Sequence, residues 1–343
     1  NHNATTAFDP AARVMDPWAR AVIGPESLGI ILTDGRFSRG RKKQFTPPHW
    51  HDLVIAECHV RDLVKYAPMP MEDVKRRGFA GLAQCVRDPL FYLNHLGANA
   101  VELQPVQEND APNAEAYHWG YMPVNYFAPA STYATDPYSA SQIEQFRDLV
   151  DAFHEKNIAV ILDVVYNHTG EPNHLLRMDK AYFFCQDFDG ALTNFSGTGN
   201  DLRTYTPTAK RLIIESLTHL IQAYDVDGFR FDLADLIGVG VLKEIEQALK
   251  AVKPSVVLIA EPWSFRGNIA RALRHTGFSS WNDGFREFVA RYVLGNGNIE
   301  GLKYFLAGSP GLALWPAQTV NYAASHDDYC WIDKITENAG HNG

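Results

Sequence analysis

A chain of 343 residues, 46% hydrophobic, has enough apolar material for a large core and fits either two average domains or one α/β barrel. Its net charge of −9, with no basic stripe, argues against nucleic acid and anionic membranes and suits a neutral or cationic ligand. No apolar run approaches the ~20 residues of a membrane-spanning helix. Four scattered cysteines, Cys58, Cys85, Cys185 and Cys330, read as reduced thiols of a cytoplasmic protein. Nothing in the sequence speaks to oligomeric state.

Residues 1–50 are turn-rich, with Asp16-Pro17, Gly24-Pro25, Pro47-Pro48 and the basic run Arg39-Gly40-Arg41-Lys42-Lys43, and read as a connector. Leu53–Val60 predicts a first buried strand. A 3.6-residue apolar period predicts a helix from Phe79 to His95, with a kink at Pro89, ended by Gly97. Ala100–Val106 is a second strand. Ser141-Gln142-Ile143-Glu144 carries a capping-box pattern and opens a helix striped with Ile143, Phe146, Leu149, Val150 and Phe153. Strand three, Ile158–Val165, is apolar on both faces except for Asp163, the mark of a parallel sheet covered by helices. A glycine-containing insertion at 169–207 interrupts the alternation, which resumes with a helix over Ala209–Tyr224. Strand four is followed by a helix at Val241–Val252 and strand five, Val256–Trp263. A weaker strand at Phe278–Trp281, a helix at Phe285–Leu294 and a seventh strand, Thr319–Asp327, complete the pattern.

Strand four, Val226-Asp227-Gly228-Phe229-Arg230-Phe231-Asp232, is the stretch around which the rest is arranged. Alternation puts Gly228, Arg230 and Asp232 on one face, and an Arg and an Asp buried there must be paired or functional. Alternating strands and helices leave a doubly wound sheet or a (β/α)8 barrel. No Gly-rich phosphate loop follows the first strand, and polar residues end strands three, four, five and seven, where barrels place their chemistry, so the barrel is favoured. Asp232 and Glu261 then end neighbouring strands about 4.8 Å apart. Such a spacing suits the ~5–5.5 Å carboxyl pair of a retaining glycosidase, Asp232 attacking the sugar and Glu261 protonating the leaving oxygen. Asp327 supplies a third carboxylate, and Arg230 would hold Asp232 ionised.

Four segments carry a resemblance: Asp163-Val164-Val165-Tyr166-Asn167-His168, Gly228-Phe229-Arg230-Phe231-Asp232, Ala260-Glu261-Pro262-Trp263 and Ser325-His326-Asp327. In this order they resemble the signature regions of the α-amylase superfamily. The flanking Leu233-Ala234, Pro262-Trp263 and His118-Trp119-Gly120-Tyr121-Met122-Pro123 resemble its isoamylase, pullulanase and glycogen-debranching branch. The resemblance, which runs from Asp52 to Asp333, implies an α-amylase-type barrel over 51–343, with 169–207 as its small B domain. It implies Asp232 as nucleophile, Glu261 as general acid/base and Asp327 as transition-state stabiliser. His168 and His326 would bond the sugar at the cleavage subsite, Tyr121 would stack on it, Asp163 and Arg230 would organise the pocket, and Trp263 would line a neighbouring subsite. The expected activity is hydrolysis of α-1,6 branch points in an α-glucan, with no required cofactor. Calcium, with Asn167 as a ligand, is the alternative on that point. Relatives of this branch carry β-sandwich modules before and after the barrel, so residues 1–50 are expected to be a linker remnant and the chain a fragment ending before an eighth strand.

Other readings use the same residues. An α-1,4-acting amylase or transglycosylase would share the machinery, and a non-catalytic carbohydrate-binding relative would lack a carboxylate. A metal-dependent barrel hydrolase on Asp163, His168, His326 and Asp327 would lose activity to a chelator, whereas carboxylate catalysis would not.

Overall fold

The computed structural model describes residues 10–33, 35 and 45–336. The basic run at 39–43 lies outside them. The strands, in chain order, are β1 (Ile55–Cys58), β2 (Ala100–Leu103), β3 (Ala159–Val164), β4 (Gly228–Phe231), β5 (Val257–Ala260), the hairpin pair β6 (Trp263–Ser264) and β7 (Gly267–Asn268), β8 (Ser279–Trp281) and β9 (Thr319–Val320). Seven of them form one parallel sheet in the order β1-β2-β3-β4-β5-β8-β9. Its helices are α1 (Val60–Lys65), α2 (Phe79–Arg87), α3 (Ser141–Glu155), α4 (His174–Phe183), α5 (Pro207–Tyr224), α6 (Ala234–Ile237), α7 (Val239–Val252), α8 (Asp283–Val293), α9 (Ile299–Leu306) and α10 (Trp331–Thr336). No described helix is long and apolar enough to cross a membrane. All four cysteines are free thiols.

Strand alternation divides the side chains between two cores. Outward residues Val101, Leu103, Val160, Leu162, Val164, Phe229, Phe231, Leu258 and Ala260 are buried in one cluster with the helix stripes, including Phe146 and Phe153 of α3 and Leu212 and Leu220 of α5. Inward residues Ala100, Ala159, Ile161, Val257, Ile259 and Trp281 form a second, with Ile55 of β1 and Val320 of β9 packed against it. First and last strands thus share one interior, so the sheet curls toward a barrel, although no ladder joins β1 to β9 among the described residues. Gly228 belongs to this narrow interior: a Cβ there would come within 2.5 Å of the Val257 carbonyl oxygen.

Below this interior a buried ion network ties β4 to its neighbours. Asp227 accepts from Lys253 Nζ (2.7 Å), His154 Nε2 (2.8 Å) and the Val160 amide (2.8 Å), and Lys253 also donates to Asp225 Oδ1 (3.0 Å). Lys253 and Asp227 are both buried. Lys253→Met should therefore lower the unfolding free energy by about 3–5 kcal/mol, the cost of stranding a buried charge. Denaturant titration checks this; a loss below 1 kcal/mol would count against the network.

The sequence expectations need four corrections. α3 begins at Ser141 with Ala140 as its left-handed N-cap (φ 55°), and no side chain caps it. Ser141 instead accepts from the Asp136 amide and Glu144 pairs with Arg147, so the capping box does not form. The helix expected across Pro89 stops at Arg87, and a separate 3-10 turn occupies Tyr92–His95, because the proline withholds an amide from the helix ladder. β9 ends at Val320, leaving Ser325-His326-Asp327 on an irregular segment rather than a strand. The β6–β7 hairpin and α9 were not anticipated.

The segment 10–33 packs beside α3 and the loop after β2, with Met15, Ala19 and Val22 against Ala128 and the Val22 carbonyl accepting from Gln142. The stretch 169–207 contains α4, and reciprocal bonds join Thr169 to Asn200 (3.0 and 2.9 Å).

Candidate active site

At the carboxyl ends of the strands the inward positions change from apolar to ionisable: Glu57 on β1, Glu102 on β2, Asp163 on β3, Arg230 on β4, then Asp232 and Glu261 just beyond β4 and β5. Arg230 is fully buried at the centre. Its Nη1 donates to Asp163 (3.0 Å to each oxygen) and to Asp232 Oδ1 (2.9 Å), and Nη2 lies 3.1 Å from Glu261 Oε2. The guanidinium carbon stands 4.3 Å from the centre of the Trp281 ring in a cation–π contact, while Nε makes no hydrogen bond and Nη2 has only its ion pair with Glu261.

The backbone around Asp232 is strained in a way that serves the cluster. Leu233 adopts φ 39°, a left-handed conformation that costs a branched residue about 1–3 kcal/mol. The turn directs the Leu233 amide onto Glu261 Oε2 (2.7 Å). The Ala234 amide donates to the Glu261 carbonyl (2.8 Å), so the two acidic segments are locked together. Asn167 Nδ2 donates to Asp232 Oδ2 (2.7 Å), while its Oδ1 lies 2.5 Å from His168 Nδ1. Both oxygens of Asp232 therefore accept hydrogen bonds, which fix the orientation of its side chain.

Electrostatics separates the acids. Burial, opposed by Arg230 and reinforced by Asp232, pushes the Glu261 carboxyl up to about 7, so that a substantial fraction carries its proton at neutral pH. Burial raises Asp163 to about 6 against the pull of Arg230. Glu102, fully buried beside Asp163, is held well above the usual carboxylate range by burial first. Burial lowers His168, which stays neutral. A proton donor and a hydrogen-bonded carboxylate side by side are the components of acid-assisted nucleophilic displacement.

Tyr121 forms a wall of the cluster. Its hydroxyl donates to Asp163 Oδ2 (2.6 Å), and its ring stacks on His326 with centroids 4.7 Å apart. Gly120 makes this approach possible, with φ 93° and only 2.5 Å from its would-be Cβ to the Pro105 carbonyl oxygen. His168 Nε2 lies 2.7 Å from the Tyr121 carbonyl oxygen.

The structure thus brings Asp163, Arg230, Asp232, Glu261, Tyr121, His168 and His326 together. Asp327 is half exposed and touches the group only through His326 Nε2, at 3.5 Å. Trp263 lies on β6, partly buried against the interior cluster, and forms a wall rather than a free platform. Four further participants were not singled out from the sequence: Glu57, Glu102, Trp281, and Asn167 as a brace for Asp232. Glu57 was legible as an acid in an otherwise apolar strand; Trp281 had no signal beyond ending a weak strand. Among the described residues no group of three or more His, Cys, Asp or Glu side chains is arranged to hold a metal ion.

Comparison with known proteins follows the same lines. Residues 34–188 match the model of the α-amylase catalytic domain. The chain is 31% identical to chloroplastic isoamylase 3 of Oryza sativa subsp. japonica, over 98% of this chain and 48% of the relative. It is 28% identical to the pullulanase of Bacillus subtilis strain 168 (94% and 50%) and 31% identical to a glycogen debranching enzyme of Yersinia enterocolitica (98% and 57%). The chain spans about half the length of the curated relatives it matches. Among solved structures, a pullulanase from Anoxybacillus sp. LM18-11 superposes with a TM-score of 0.84 at 27% identity, covering 94% of this chain and 51% of that one. A second structure of that pullulanase, complexed with maltotetraose, gives 0.83 at 27% identity, covering 96% of this chain and 53% of that one.

Proposed function

We propose, from the premise that this chain is an α-amylase-type catalytic domain of the isoamylase, pullulanase and glycogen-debranching branch, that it hydrolyses α-1,6 branch points of glycogen- or amylopectin-type glucans with retention of configuration. The observation that carries the chemistry is one buried guanidinium, that of Arg230, touching both Asp232 and Glu261. A shared guanidinium supports the short carboxyl spacing, ~5–5.5 Å, of enzymes that form a covalent intermediate; inverting enzymes leave ~6.5–9.5 Å for a water.

In this reading Asp232 attacks the anomeric carbon while the bond to the leaving glucan breaks, and the proton of Glu261 passes to the leaving oxygen. A water then attacks the glycosyl ester, returning its proton to Glu261 and freeing Asp232. Arg230 and Asn167 hold Asp232 aimed at the anomeric carbon. Tyr121 stacks on the sugar face, His168 and His326 bond its hydroxyls, and Asp327, free to turn, grips hydroxyls as positive charge develops. Trp263 lines the adjacent subsite, and insertion 169–207 serves as the small B domain. The α-1,6 preference is supported by the isoamylase and pullulanase relatives.

Reducing-sugar release from amylopectin and from linear amylose tests this. Activity on amylopectin alone, undiminished by EDTA, is expected; cleavage of amylose would instead favour an α-1,4 enzyme, and loss to EDTA a metal-dependent one. Because the proton donor titrates near 7, activity should fall as pH rises through that value.

A further inference from the structure

The irregular segment after β9 leaves His326 without a strand neighbour, and an acid from the other end of the sheet takes that place. Glu57 Oε2 accepts the His326 amide at 2.7 Å, and Glu57 Oε1 lies 2.6 Å from His326 Nδ1. A backbone amide that a sheet ladder would ordinarily satisfy is thus held by a carboxylate on β1, in charge-assisted bonds. These bonds also span the gap between β9 and β1.

Resting on the active-site reading above, we propose that Glu57 is a positioning residue: it fixes the His326 ring with its proton on Nδ1 and leaves Nε2 facing Asp327 and the sugar subsite. The ring is confined on its other sides. Tyr121 stacks on one face, its hydroxyl 3.2 Å from Nδ1, and Trp119 meets the ring edge-on at 5.7 Å. The Tyr121 hydroxyl spends its proton on Asp163, so Glu57 is the acceptor left for the Nδ1 proton. The charged and titratable groups facing His326 are Glu57 on β1, Asp163 on β3, Arg230 on β4, Tyr121 and its own neighbour Asp327. Across a cavity of about 410 Å³ whose wall includes Glu57 and His326 stand His59 and Asp62. Burial lowers the imidazolium, but the bond to Glu57 and its charge outweigh burial and hold His326 above its ordinary value. Nε2 is a donor to the sugar while the ring is protonated, a state the bond to Glu57 extends to higher pH, and an acceptor once the ring is neutral with its proton on Nδ1.

Nitrogen-15 NMR of the His326 ring tests this without reference to turnover. In the wild type the neutral ring should carry its proton on Nδ1, with a titration midpoint above the ordinary ~6.5. Glu57→Gln should lower that midpoint by about one pH unit or more. It should also cut kcat on a branched maltooligosaccharide by about 10–100-fold, the loss typical of a misplaced group. Glu57→Asp, which keeps the charge, should recover part of the midpoint. An Nε2–H tautomer in the wild type overturns the proposal even if the variant fails to fold, and so does an unchanged midpoint in folded Glu57→Gln. A wild type that cleaves no glucan would refute the function and leave the NMR test of Glu57 standing.

Discussion

Asp232→Asn is expected to lower kcat on a branched glucan by about a thousandfold or more, about 4 kcal/mol of lost transition-state stabilisation. The loss is chemical, because an amide cannot form the glycosyl ester, and the site adds to it. Arg230 and Asn167 donate to the two oxygens of Asp232, so an amide nitrogen must face one of these donors, stranding a bond worth about 1–3 kcal/mol. Circular dichroism and a denaturation curve separate that cost from turnover. Glu261→Gln should behave differently. Loss of the proton donor costs about 10²–10⁴-fold on a natural glucan, but a glycosyl fluoride, whose leaving group needs no proton, should still react with Asp232. Equal losses on both substrates would sink the division of roles.

Arg230→Met should cost about 3–5 kcal/mol of stability and all measurable activity, because three acids converge on a guanidinium with no exposure. The cost should depend on pH with a definite sign. Asp163 and Glu261 already sit near 6 and 7 in the folded protein, above their unfolded values. The folded state therefore keeps protons that the unfolded chain releases, and the stability these acids contribute is present at low pH and lost as pH rises through 6–7. Removing the cation moves both further up and deepens the loss on the alkaline side. Denaturation at pH 5 and pH 8 should show the deficit growing with pH. A small or pH-independent deficit would mean that Arg230 is not the element holding these carboxylates.

Much of this was legible in the sequence because the relevant signals are local. An apolar run ending in an acid is visible without a structure, and strand order in a barrel makes Asp232 and Glu261 neighbours; both follow from the two-residue strand period. Long-range geometry was not legible. Glu57 reaches His326 across 269 positions, and Leu233 takes its left-handed turn because Glu261 waits for its amide. The signature at Ser325–Asp327 pointed to a segment whose His326 lies beside the acids but said nothing of its backbone, which is irregular, so its partner could not be sought by strand pairing. The capping box failed for a different reason: other local contacts, with the Asp136 amide and with Arg147 one turn on, took the two side chains assigned to the helix end.

The measurement that tests the central claim most directly is covalent trapping with a 5-fluoro α-glucosyl fluoride, followed by peptide mass spectrometry. A single glycosyl adduct on the peptide containing Asp232, absent in Asp232→Asn, is the predicted result. An adduct on Glu261 or Asp163, or no adduct from an enzyme whose product emerges with inverted configuration, would contradict it.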